Sequence, residues 1–322
     1  MKILIIRLSS LGDIVLTESI CALLHESYPQ AEIHYICKPA FADLPALFAT
    51  EVKVIPYNKS LQFHKQLRET YYDIVIDLHG KLASCLLLLF SNASKKLSYN
   101  KQRSIRQAIV KGNHKLNIDS TVQLYTSSLK KLGIGTSWQY PKLKRPNNIS
   151  SDLSQDILPN TIALFPGATH FTKRYPVDMW IKFINQNRCY NYALFGSNYD
   201  LALCNAIAAE IDQPCENYAG LLGYEDLLIA LKRCVLVISG DTGPMHVAAA
   251  INIPQIALFG GTHPRLGFRP LNDKAKILCL DLSCQPCSLH GDKACPLGHF
   301  NCMRLLDAET IIHAIHEIGL SN

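Results

Sequence analysis

The chain has 322 residues, of which 48% are hydrophobic and 18% are charged, so it can form two ordinary domains with packed cores and is not globally disordered. The formal net charge of +6 is too small to indicate a nucleic-acid partner. The start, MKILIIRLSS, lacks the apolar length of a secretory signal peptide, and twelve cysteines without such a signal predict a reducing cytoplasm.

Strands and helices alternate from the first residue. Runs of Ile, Val and Leu predict strands at 2–7, 32–37, 52–57 and 73–78, with a helix at about 14–27. Because these runs lack strict polar alternation, each strand is expected to be covered on both faces. The pattern favours an open parallel α/β sheet.

The first loop, RLSSLGDIVLT at 7–17, joins a predicted strand to a predicted helix. Gly12 permits a tight turn. Asp13 has two interpretations: it caps the helix by accepting backbone N–H bonds, or its carboxylate stands at the strand end and takes a proton from a hydroxyl group. The spacing alone leaves both open.

The middle of the first half is basic. No acidic residue stands between Asp77 and Asp119, and the basic residues of that interval are Lys81, Lys95, Lys96, Lys101, Arg103, Arg106, Lys111 and Lys115. Such a segment suits a phosphorylated or otherwise anionic partner or an anionic membrane surface, and the alternative is a solvated basic face. The apolar run LASCLLLLF at 82–90 is far shorter than the ~20 residues that span a bilayer and predicts a buried helix face.

A segment rich in Pro, Asn, Ser and Asp at 140–160 is typical of a linker. The alternation then restarts, with strands predicted at 161–165, 191–195, 235–239, 255–259 and 275–281. We therefore predict two doubly wound α/β domains at 1–150 and 151–305, followed by a last helical segment at 306–322. Since ligands of open α/β sheets bind beyond the carboxyl ends of strands, the cleft between the domains is the expected site.

The loop LFPGATHFTKRYPVDMW at 164–180 follows a predicted strand and carries Thr169, Lys173 and Arg174. Lysine and arginine at a strand end can neutralise a diphosphate. A charged surface loop without such a role is the alternative.

The segment SGDTGPMHVAAA at 239–250 joins a strand to an Ala-rich helix. Its glycines let backbone N–H groups approach an anion at the helix N-terminus. Since a carboxylate repels phosphate, we expect Asp241 to bind backbone amides or a sugar hydroxyl. The alternative makes Asp241 a helix cap and His246 a packed core residue. The following loop, FGGTHP at 259–264, adds Thr262 as a weaker candidate for a nucleotide contact.

Four cysteines cluster near the end of the chain, at Cys284, Cys287, Cys295 and Cys302. One Cys-x-x-Cys pair with two further thiols is compatible with a structural tetrahedral zinc site. The alternatives are reduced thiols that pack a loop, or a disulfide pair. Nothing in the pattern indicates a catalytic metal.

Missing motifs narrow the function further. The sequence has no dinucleotide-binding glycine fingerprint, no P-loop, no nucleophile elbow and no zincin motif. It also lacks a paired D-x-D, so an enzyme acting on a nucleotide sugar would hold the leaving diphosphate with Lys, Arg and helix dipoles instead of a divalent ion.

These loops resemble those of glycosyltransferase family 9, the ADP-heptose:lipopolysaccharide heptosyltransferases. The resemblance rests on MKILIIRLSSLGDIVLT, LFPGATHFTKRYP, the stretch from YAGLLGYEDLL to QIALFGGTHP, and the closing CQPC…CPLGHFNCM. It extends over nearly the whole chain. The loop after QIALF departs from the family, because it reads Gly260-Gly261-Thr262 where the family often has Gly-Pro-Thr.

The resemblance implies a GT-B fold, in which two Rossmann-like domains face each other across a cleft, and an inverting transfer of heptose to the lipopolysaccharide inner core without a catalytic cofactor. Asp13 would be the general base. The donor-binding residues it implies are Thr169, Lys173, Asp241, Thr242, Gly243, His246 and Thr262. The candidate acceptor-binding residues are Ser10, Lys81, Arg103 and Arg106. The final helix would pack back on the N-terminal domain.

The implied partners are ADP-heptose or a related nucleotide sugar, a Kdo–lipid A type of acceptor, and the inner leaflet of the cytoplasmic membrane, contacted peripherally. Two other functions stay open at this point: a transferase of the same fold that uses another nucleotide sugar, and a non-catalytic nucleotide-binding protein. The presence of Asp13, Lys173 and the whole segment from Asp241 to His246 speaks against the second.

Overall fold

The computed structural model describes residues 1–135, 137–144 and 157–320. The chain divides into two compact units. The first comprises Met1–Gln102 and Ser120–Lys144, and the second comprises Arg103–Asp119 and Arg145–Asn322. The domain boundary predicted at 150/151 lies outside the described residues.

The first unit contains a five-stranded parallel sheet. Its strands are β1 (Lys2–Ile6), β2 (Glu32–Cys37), β3 (Lys53–Pro56), β4 (Tyr71–Asp77) and β5 (Asn92–Ser98), in the spatial order β3-β2-β1-β4-β5. The helices of this part of the chain are α1 (Leu11–Leu16), α2 (Glu18–Ser27), α3 (Asp43–Ala46), α4 (Leu61–Glu69), α5 (Leu82–Phe90), α6 (Arg103–Val110) and α7 (Thr121–Ser127). All of them belong to the first unit except α6, which belongs to the second. The helix predicted at 14–27 is thus two helices that meet at Thr17.

The second unit contains a six-stranded parallel sheet. Its strands are β6 (Thr161–Phe165), β7 (Asn191–Leu194), β8 (Cys215–Asn217), β9 (Cys234–Gly240), β10 (Gln255–Leu258) and β11 (Ala275–Leu278), in the order β11-β10-β9-β6-β7-β8. Its later helices are α8 (Val177–Gln186), α9 (Leu201–Ala208), α10 (Tyr224–Lys232), α11 (Gly243–Ala250), α12 (Asn301–Arg304) and α13 (Ala308–Glu317). Two parallel sheets, each with central strands buried on both faces, confirm the predicted α/β doubly wound class.

Successive strand residues explain why these runs are apolar throughout. In β1, Ile3 and Ile5 point to one face and Leu4 and Ile6 to the other, and all four are fully buried. On the face of Leu4 and Ile6, the buried cluster also contains side chains from β4, α4 and α5. A central parallel strand has no polar face, which is the reason for the continuous aliphatic runs.

The run at 82–90 forms a helix with one buried face, as predicted, but the rest of the helix is exposed. Of the α5 side chains only Ser84 and Leu87 are buried, while Leu82, Leu86, Leu89 and Phe90 are exposed. The composition of the run is that of a core helix, but only one side of α5 has the sheet opposite it.

The segment Arg103–Asp119 belongs to the second unit, although the sequence placed it in the first domain. Three contacts attach this segment to the second unit. The Arg106 guanidinium lies 4.7 Å from the centre of the Phe268 ring, the Ile118 N–H donates to the Arg265 carbonyl at 2.9 Å, and the Asp119 carbonyl accepts from Arg269 at 3.1 Å. These contacts explain the departure from chain order.

The last helix also differs from its predicted position. Ala308, Ile311, Ala314 and Ile315 of α13 are buried in the core cluster of the second unit, together with the α8 side chains at 180, 183 and 184. This packing corrects the expectation that the helix returns to the N-terminal domain. Its apolar stripe at i, i+3 and i+7 matches the surface that α8 presents within the same unit.

Candidate functional site

Each sheet has one topological switch point. This is the place between two neighbouring strands from which the following connections run to opposite sides of the sheet. In the first unit the switch lies between β1 and β4, and in the second it lies between β6 and β9. Loops that leave neighbouring strands in opposite directions open a crevice at their carboxyl ends, which is where α/β sheets bind ligands. The loops singled out from the sequence follow β1, β6 and β9, so they stand at these two points.

Arg7 organises the switch point of the first unit. It follows the end of β1 and is buried. One of its terminal nitrogens donates to the Leu78 carbonyl at 2.5 Å and to the Tyr125 hydroxyl at 3.0 Å, and the other pairs with Asp13 Oδ2 at 2.5 Å. A single guanidinium therefore joins the loop after β1, the loop after β4 and α7, using the fixed fork of donors that arginine provides.

Asp13 lies in the first turn of α1. Besides the ion pair with Arg7, its Oδ2 accepts from the Ser10 hydroxyl at 2.8 Å and from the Ser10 N–H at 3.3 Å. The N-cap residue of α1 is Ser10, so Asp13 does not occupy the cap position that one interpretation gave it; as the third residue of the helix it accepts the N–H of the cap residue. Its side chain remains 23% exposed, so the carboxylate can also be reached from outside the protein.

The surroundings of Asp13 keep it ionised. Burial raises the pKa of the carboxyl group, but the Arg7 charge and the Ser10 hydrogen bonds outweigh that effect and lower the pKa to about 2. The group is therefore a carboxylate throughout the physiological range and can accept a proton only transiently.

His79 is a site residue that the sequence reasoning missed. It follows β4 and is 5% exposed, and within the described part of the chain its Nδ1 atom has no hydrogen-bond partner. Burial, followed by the positive charges of Arg7, Lys81 and Lys101, lowers its pKa to about 4, while Asp13 opposes this shift. A neutral, buried imidazole near the carboxylate can exchange a hydrogen bond with a bound hydroxyl group. The available signal was its position directly after a predicted strand.

Asp77 holds the loop that carries His79. The side chain is fully buried at the end of β4. Its Oδ1 accepts from the His79 N–H at 2.8 Å and from the Gly80 N–H at 2.9 Å, and its Oδ2 accepts from the Ser84 hydroxyl at 3.0 Å. The turn between β4 and α5 is thereby fixed by one carboxylate.

Lys173, Asp241 and Thr262 meet at the switch point of the second unit. The Lys173 ammonium lies 2.8 Å from Asp241 Oδ2 and 2.9 Å from the Asp241 carbonyl, and the Thr262 hydroxyl donates to the same Oδ2 at 2.8 Å. All three side chains are buried or largely buried. An ammonium group has three donors, so two are used here and one can serve an anion.

Three glycines bring these loops into contact. A Cβ atom on Gly240 would lie 2.5 Å from the Lys173 carbonyl oxygen, and one on Gly260 would lie 2.3 Å from the Thr172 carbonyl oxygen. A Cβ atom on Gly261 would lie 2.8 Å from the Thr172 side chain, and the Gly261 N–H donates to the Thr172 carbonyl at 2.8 Å. Backbone against backbone at this distance admits no other residue type.

The remaining predicted donor residues lie around this cluster. Thr242 is the N-cap residue of α11, Gly243 is its first residue, and His246 lies buried in its first turn. Asp241 therefore does not cap the helix, and its carboxylate binds a side-chain ammonium and a hydroxyl instead. Thr169 is exposed on the loop after β6.

The cysteine-rich loop packs on the same cluster. The Cys287 N–H donates to the Gly261 carbonyl at 3.0 Å, and the Thr172 N–H donates to the Asp292 carbonyl at 3.1 Å. Burial, followed by the charges of Cys287, Cys284 and Cys295, raises the pKa of the Cys302 thiol to about 12. All of the described cysteines are free, and among the described residues no group of three or more His, Cys, Asp and Glu is arranged as metal ligands.

The comparison with protein families agrees with this geometry. A sequence model of glycosyltransferase family 9 (heptosyltransferase) matches residues 60–297, which is more than half of the chain. The chain belongs to glycosyltransferase family 9. The family match makes it a glycosyltransferase, as the resemblance of its loops predicted.

Members of family 9 with known names or structures align over most of this chain. Lipopolysaccharide heptosyltransferase 2 of Salmonella typhimurium is 27% identical over 312 residues, which cover 87% of this chain and 88% of that protein. The crystal structure of a family 9 glycosyltransferase from Veillonella parvula matches with a TM-score of 0.80 at 19% identity, covering 100% of this chain and 98% of that one. The E. coli ADP-heptose LPS heptosyltransferase II matches with a TM-score of 0.77 at 22% identity, covering 99% and 98%. These two structures agree with the fold described here.

The predicted acceptor residues of the family 9 chain do not lie in one unit. Ser10 and Lys81 belong to the first unit, whereas Arg103 and Arg106 belong to the second. The Arg106 guanidinium is buried against the Phe268 ring, whose aromatic face stabilises the cation. Its role as an acceptor contact stays a prediction.

The lengths and hydropathies of the described helices were compared with those of membrane-spanning helices. None of those within residues 1–135, 137–144 and 157–320 is long and apolar enough to cross a bilayer.

Proposed function

We propose that this family 9 enzyme transfers heptose from ADP-L-glycero-D-manno-heptose to the inner core of lipopolysaccharide. The Salmonella relative is named a lipopolysaccharide heptosyltransferase, and the E. coli structure is that of an ADP-heptose enzyme. The observation that carries the proposal is the pair of switch-point clusters. One presents an ionised, reachable carboxylate on Asp13, and the other presents the Lys173 ammonium beside glycine-rich loops and a helix N-terminus.

The first unit would bind the acceptor and the second would bind the nucleotide sugar. In the second unit the third donor of Lys173 and the backbone N–H groups at the start of α11 bind the diphosphate, and Asp241 keeps the ammonium in place. Thr169, Thr242, His246 and Thr262 surround the donor. In the first unit Ser10, His79 and Lys81 contact the sugar or its anionic groups. Arg103, which belongs to the second unit, remains a candidate for a basic contact with the acceptor.

The reaction is a displacement at the anomeric carbon that inverts its configuration. The acceptor oxygen forms the new bond as the bond to the ADP oxygen breaks, through an oxocarbenium-like state. Asp13 accepts the proton of the acceptor hydroxyl, and the charge that grows on the leaving diphosphate is stabilised by Lys173 and the α11 N-terminus. Since these groups supply the positive charge, the proposed mechanism requires no divalent ion, and transfer should persist in excess chelator.

The test of this mechanism is the Asp13→Ala variant, measured with ADP-heptose and a Kdo–lipid A acceptor. We expect transfer to be lost while ADP-heptose binding, measured by calorimetry, is unchanged, because the donor cluster lies in the other unit. Asp43→Asn, which alters an exposed carboxylate of the first unit, is the control and should keep full activity. Transfer at the wild-type rate by Asp13→Ala would contradict the assignment.

The donor sugar is tested separately. Wild-type enzyme is incubated with ADP-heptose and with a panel of other nucleotide sugars. A clear preference for ADP-heptose supports the proposal, whereas a preference for another donor assigns a different transferase of this fold. Transfer from none of them would leave only nucleotide binding.

A structural zinc ion in the cysteine-rich loop is also proposed, on the spacing of Cys284, Cys287, Cys295 and Cys302 in the sequence. The described geometry fits reduced thiols, so zinc binding would require the side chains to rearrange. Elemental analysis of purified protein decides between these states, because about one zinc per chain supports the ion and its absence refutes it.

The proposed enzyme works on the cytoplasmic side of the membrane, in peripheral contact with its inner leaflet. The support is the acceptor class, which is a lipid, and the basic segment that begins at Lys81.

A further inference from the structure

The exposed side of α5 is the largest departure from ordinary burial in the first unit. Its four outward apolar side chains are Leu82, Leu86, Leu89 and Phe90, which are 78%, 41%, 64% and 48% exposed. Their spacing of i, i+4, i+7 and i+8 puts them on one face of the helix. Scattered exposed leucines are common, but a contiguous apolar face marks a surface that contacts something else.

The opposite side of the helix is firmly fixed. Leu87 is fully buried on the sheet, Ala83 and Leu88 pack against the same cluster, and Ser84 donates to the buried Asp77 carboxylate. The outward face is therefore held in place by the fold and is not a frayed end.

Positive charge borders this face at both ends. Lys81 is the N-cap residue and is exposed, and the Lys96 ammonium donates to the Leu89 carbonyl at 2.7 Å. Lys95 precedes it in β5 and points to the opposite face of the strand, so it is not part of this border. The sequence contains no acidic residue from 78 to 118, so no carboxylate of this segment neutralises the border.

A partner for such a face must be apolar in the centre and anionic at the edge. A lipid bilayer with anionic headgroups has both properties, since leucine and phenylalanine enter the acyl boundary while lysines extend to the phosphates. A second protein surface would need a matching apolar patch surrounded by acidic groups.

Helix α5 also lies next to the candidate acceptor site along the chain. α5 begins directly after the loop that carries His79, and Arg7 binds both that loop and Asp13. A bilayer that contacts α5 would thus bring the headgroup region next to the carboxylate proposed as the base.

We propose that the outward face of α5, bordered by Lys81 and Lys96, docks the enzyme on an anionic lipid bilayer. The inference deepens the proposed function and rests on it for the identity of the acceptor, which is itself a membrane lipid.

The experiment compares wild-type protein with Leu82→Gln/Leu86→Gln/Leu89→Gln by co-sedimentation with vesicles of phosphatidylcholine and phosphatidylglycerol. We expect binding to fall about tenfold or more, because each leucine loses its transfer into the acyl region. A second variant, Lys96→Glu, should weaken binding by about fivefold, and only with vesicles that contain phosphatidylglycerol. Leu201→Gln/Leu305→Gln, which changes exposed leucines of the second unit, is the matched control and should bind as the wild type does.

Activity separates docking from chemistry. The leucine variant should transfer heptose to a deacylated, water-soluble acceptor at the wild-type rate and lose transfer to the acceptor embedded in vesicles. If wild-type protein binds vesicles but transfers no sugar, the proposed function fails while docking stands.

Three results would overturn the docking proposal. They are no vesicle binding by the wild type, equal binding by the leucine variant, and loss of a dimer in analytical ultracentrifugation with vesicle binding unaffected. The last result would assign the face to a second copy of the chain.

Discussion

Arg7 determines what kind of base Asp13 can be. A carboxylate with a pKa of about 2 is a weak base in the resting protein, so it can remove a proton only as the new glycosidic bond forms. In return, the ion pair fixes the direction of the carboxylate and keeps it charged throughout the physiological pH range. The ion pair with Arg7 thus orients the Asp13 carboxylate and keeps it ionised, but it also makes the carboxylate a weaker base.

At the residue scale, His79 should make stability depend on pH. Its folded pKa of about 4 lies below the ordinary 6.5, so the unfolded chain binds a proton that the folded chain does not. The free energy of unfolding should therefore fall as the pH drops from 6.5 towards 4, by about 3 kcal/mol at most, and be unaffected above 6.5. Urea unfolding of wild type and His79→Gln at several pH values measures this.

The His79→Gln variant should show a smaller fall across that range. A parallel His25→Gln variant, changed at an exposed position of α2, corrects for the loss of a histidine in general. Identical pH dependence in wild type and His79→Gln would show that the buried imidazole is not the group responsible.

Lys173 should contribute directly to donor affinity. Replacing it by Ala removes a charge-assisted hydrogen bond to the diphosphate and leaves Asp241 buried without its cation, so ADP affinity should fall roughly tenfold to a hundredfold. Calorimetry with ADP gives the dissociation constant. Lys274→Ala, at an exposed position of the same unit, is the control, and an unchanged ADP affinity in Lys173→Ala would remove the lysine from the donor site.

At the scale of elements, one buried carboxylate holds the turn between β4 and α5. Asp77→Ala would leave the His79 N–H, the Gly80 N–H and the Ser84 hydroxyl without their acceptor, and we expect a loss of about 3 kcal/mol in the free energy of unfolding. Asp73→Ala, on the same strand, removes one partly exposed bond to the Lys2 N–H and should cost less than ~1 kcal/mol. Equal effects of the two changes in urea unfolding would contradict the anchoring role.

Helix α5 illustrates how an element can have the composition of a core and the position of a surface. Its sequence contains seven apolar residues in nine if Cys85 is set aside, so composition predicts burial. Burial depends on whether the fold supplies a second layer, and here it supplies one on a single side only.

At the scale of the whole molecule, the two units do not follow the chain as consecutive halves. The segment at 103–119 is built into the second unit by contacts with the loop around Gly267, where Ile118 packs so closely that a Cβ on the glycine would lie 2.7 Å from it. The last helix is likewise built into the second unit. Each unit therefore depends on chain segments that a linear division would not assign to it.

Ile311→Ala should destabilise the second unit by about 3 kcal/mol, because it leaves a cavity in the cluster that α13 forms with α8. In a Trp138→Phe background Trp180 is the remaining tryptophan and reports the unfolding of this unit. Glu309→Ala, at an exposed position of α13, is the control. An unaltered Trp180 transition in Ile311→Ala would mean that α13 does not support the second unit.

The sequence by itself determined the parallel α/β class, the positions of most strands, and the loops that carry Asp13, Lys173 and Asp241. Each of these features depends on residues that are close in the sequence. An aliphatic run indicates a strand covered on both faces, and a glycine-rich turn between a strand and a helix indicates a ligand-binding loop. The edge strand β5, NASKKLS, has no such run and was not predicted.

Only the tertiary structure decided the ion pair of Arg7 with Asp13, the burial of His79, the exposed face of α5, and the placement of α6 and α13. Each of these depends on which surfaces meet after folding. The charge of a carboxylate or imidazole, and the burial of an apolar helix, are properties of the groups packed opposite it, and those groups are distant in the chain.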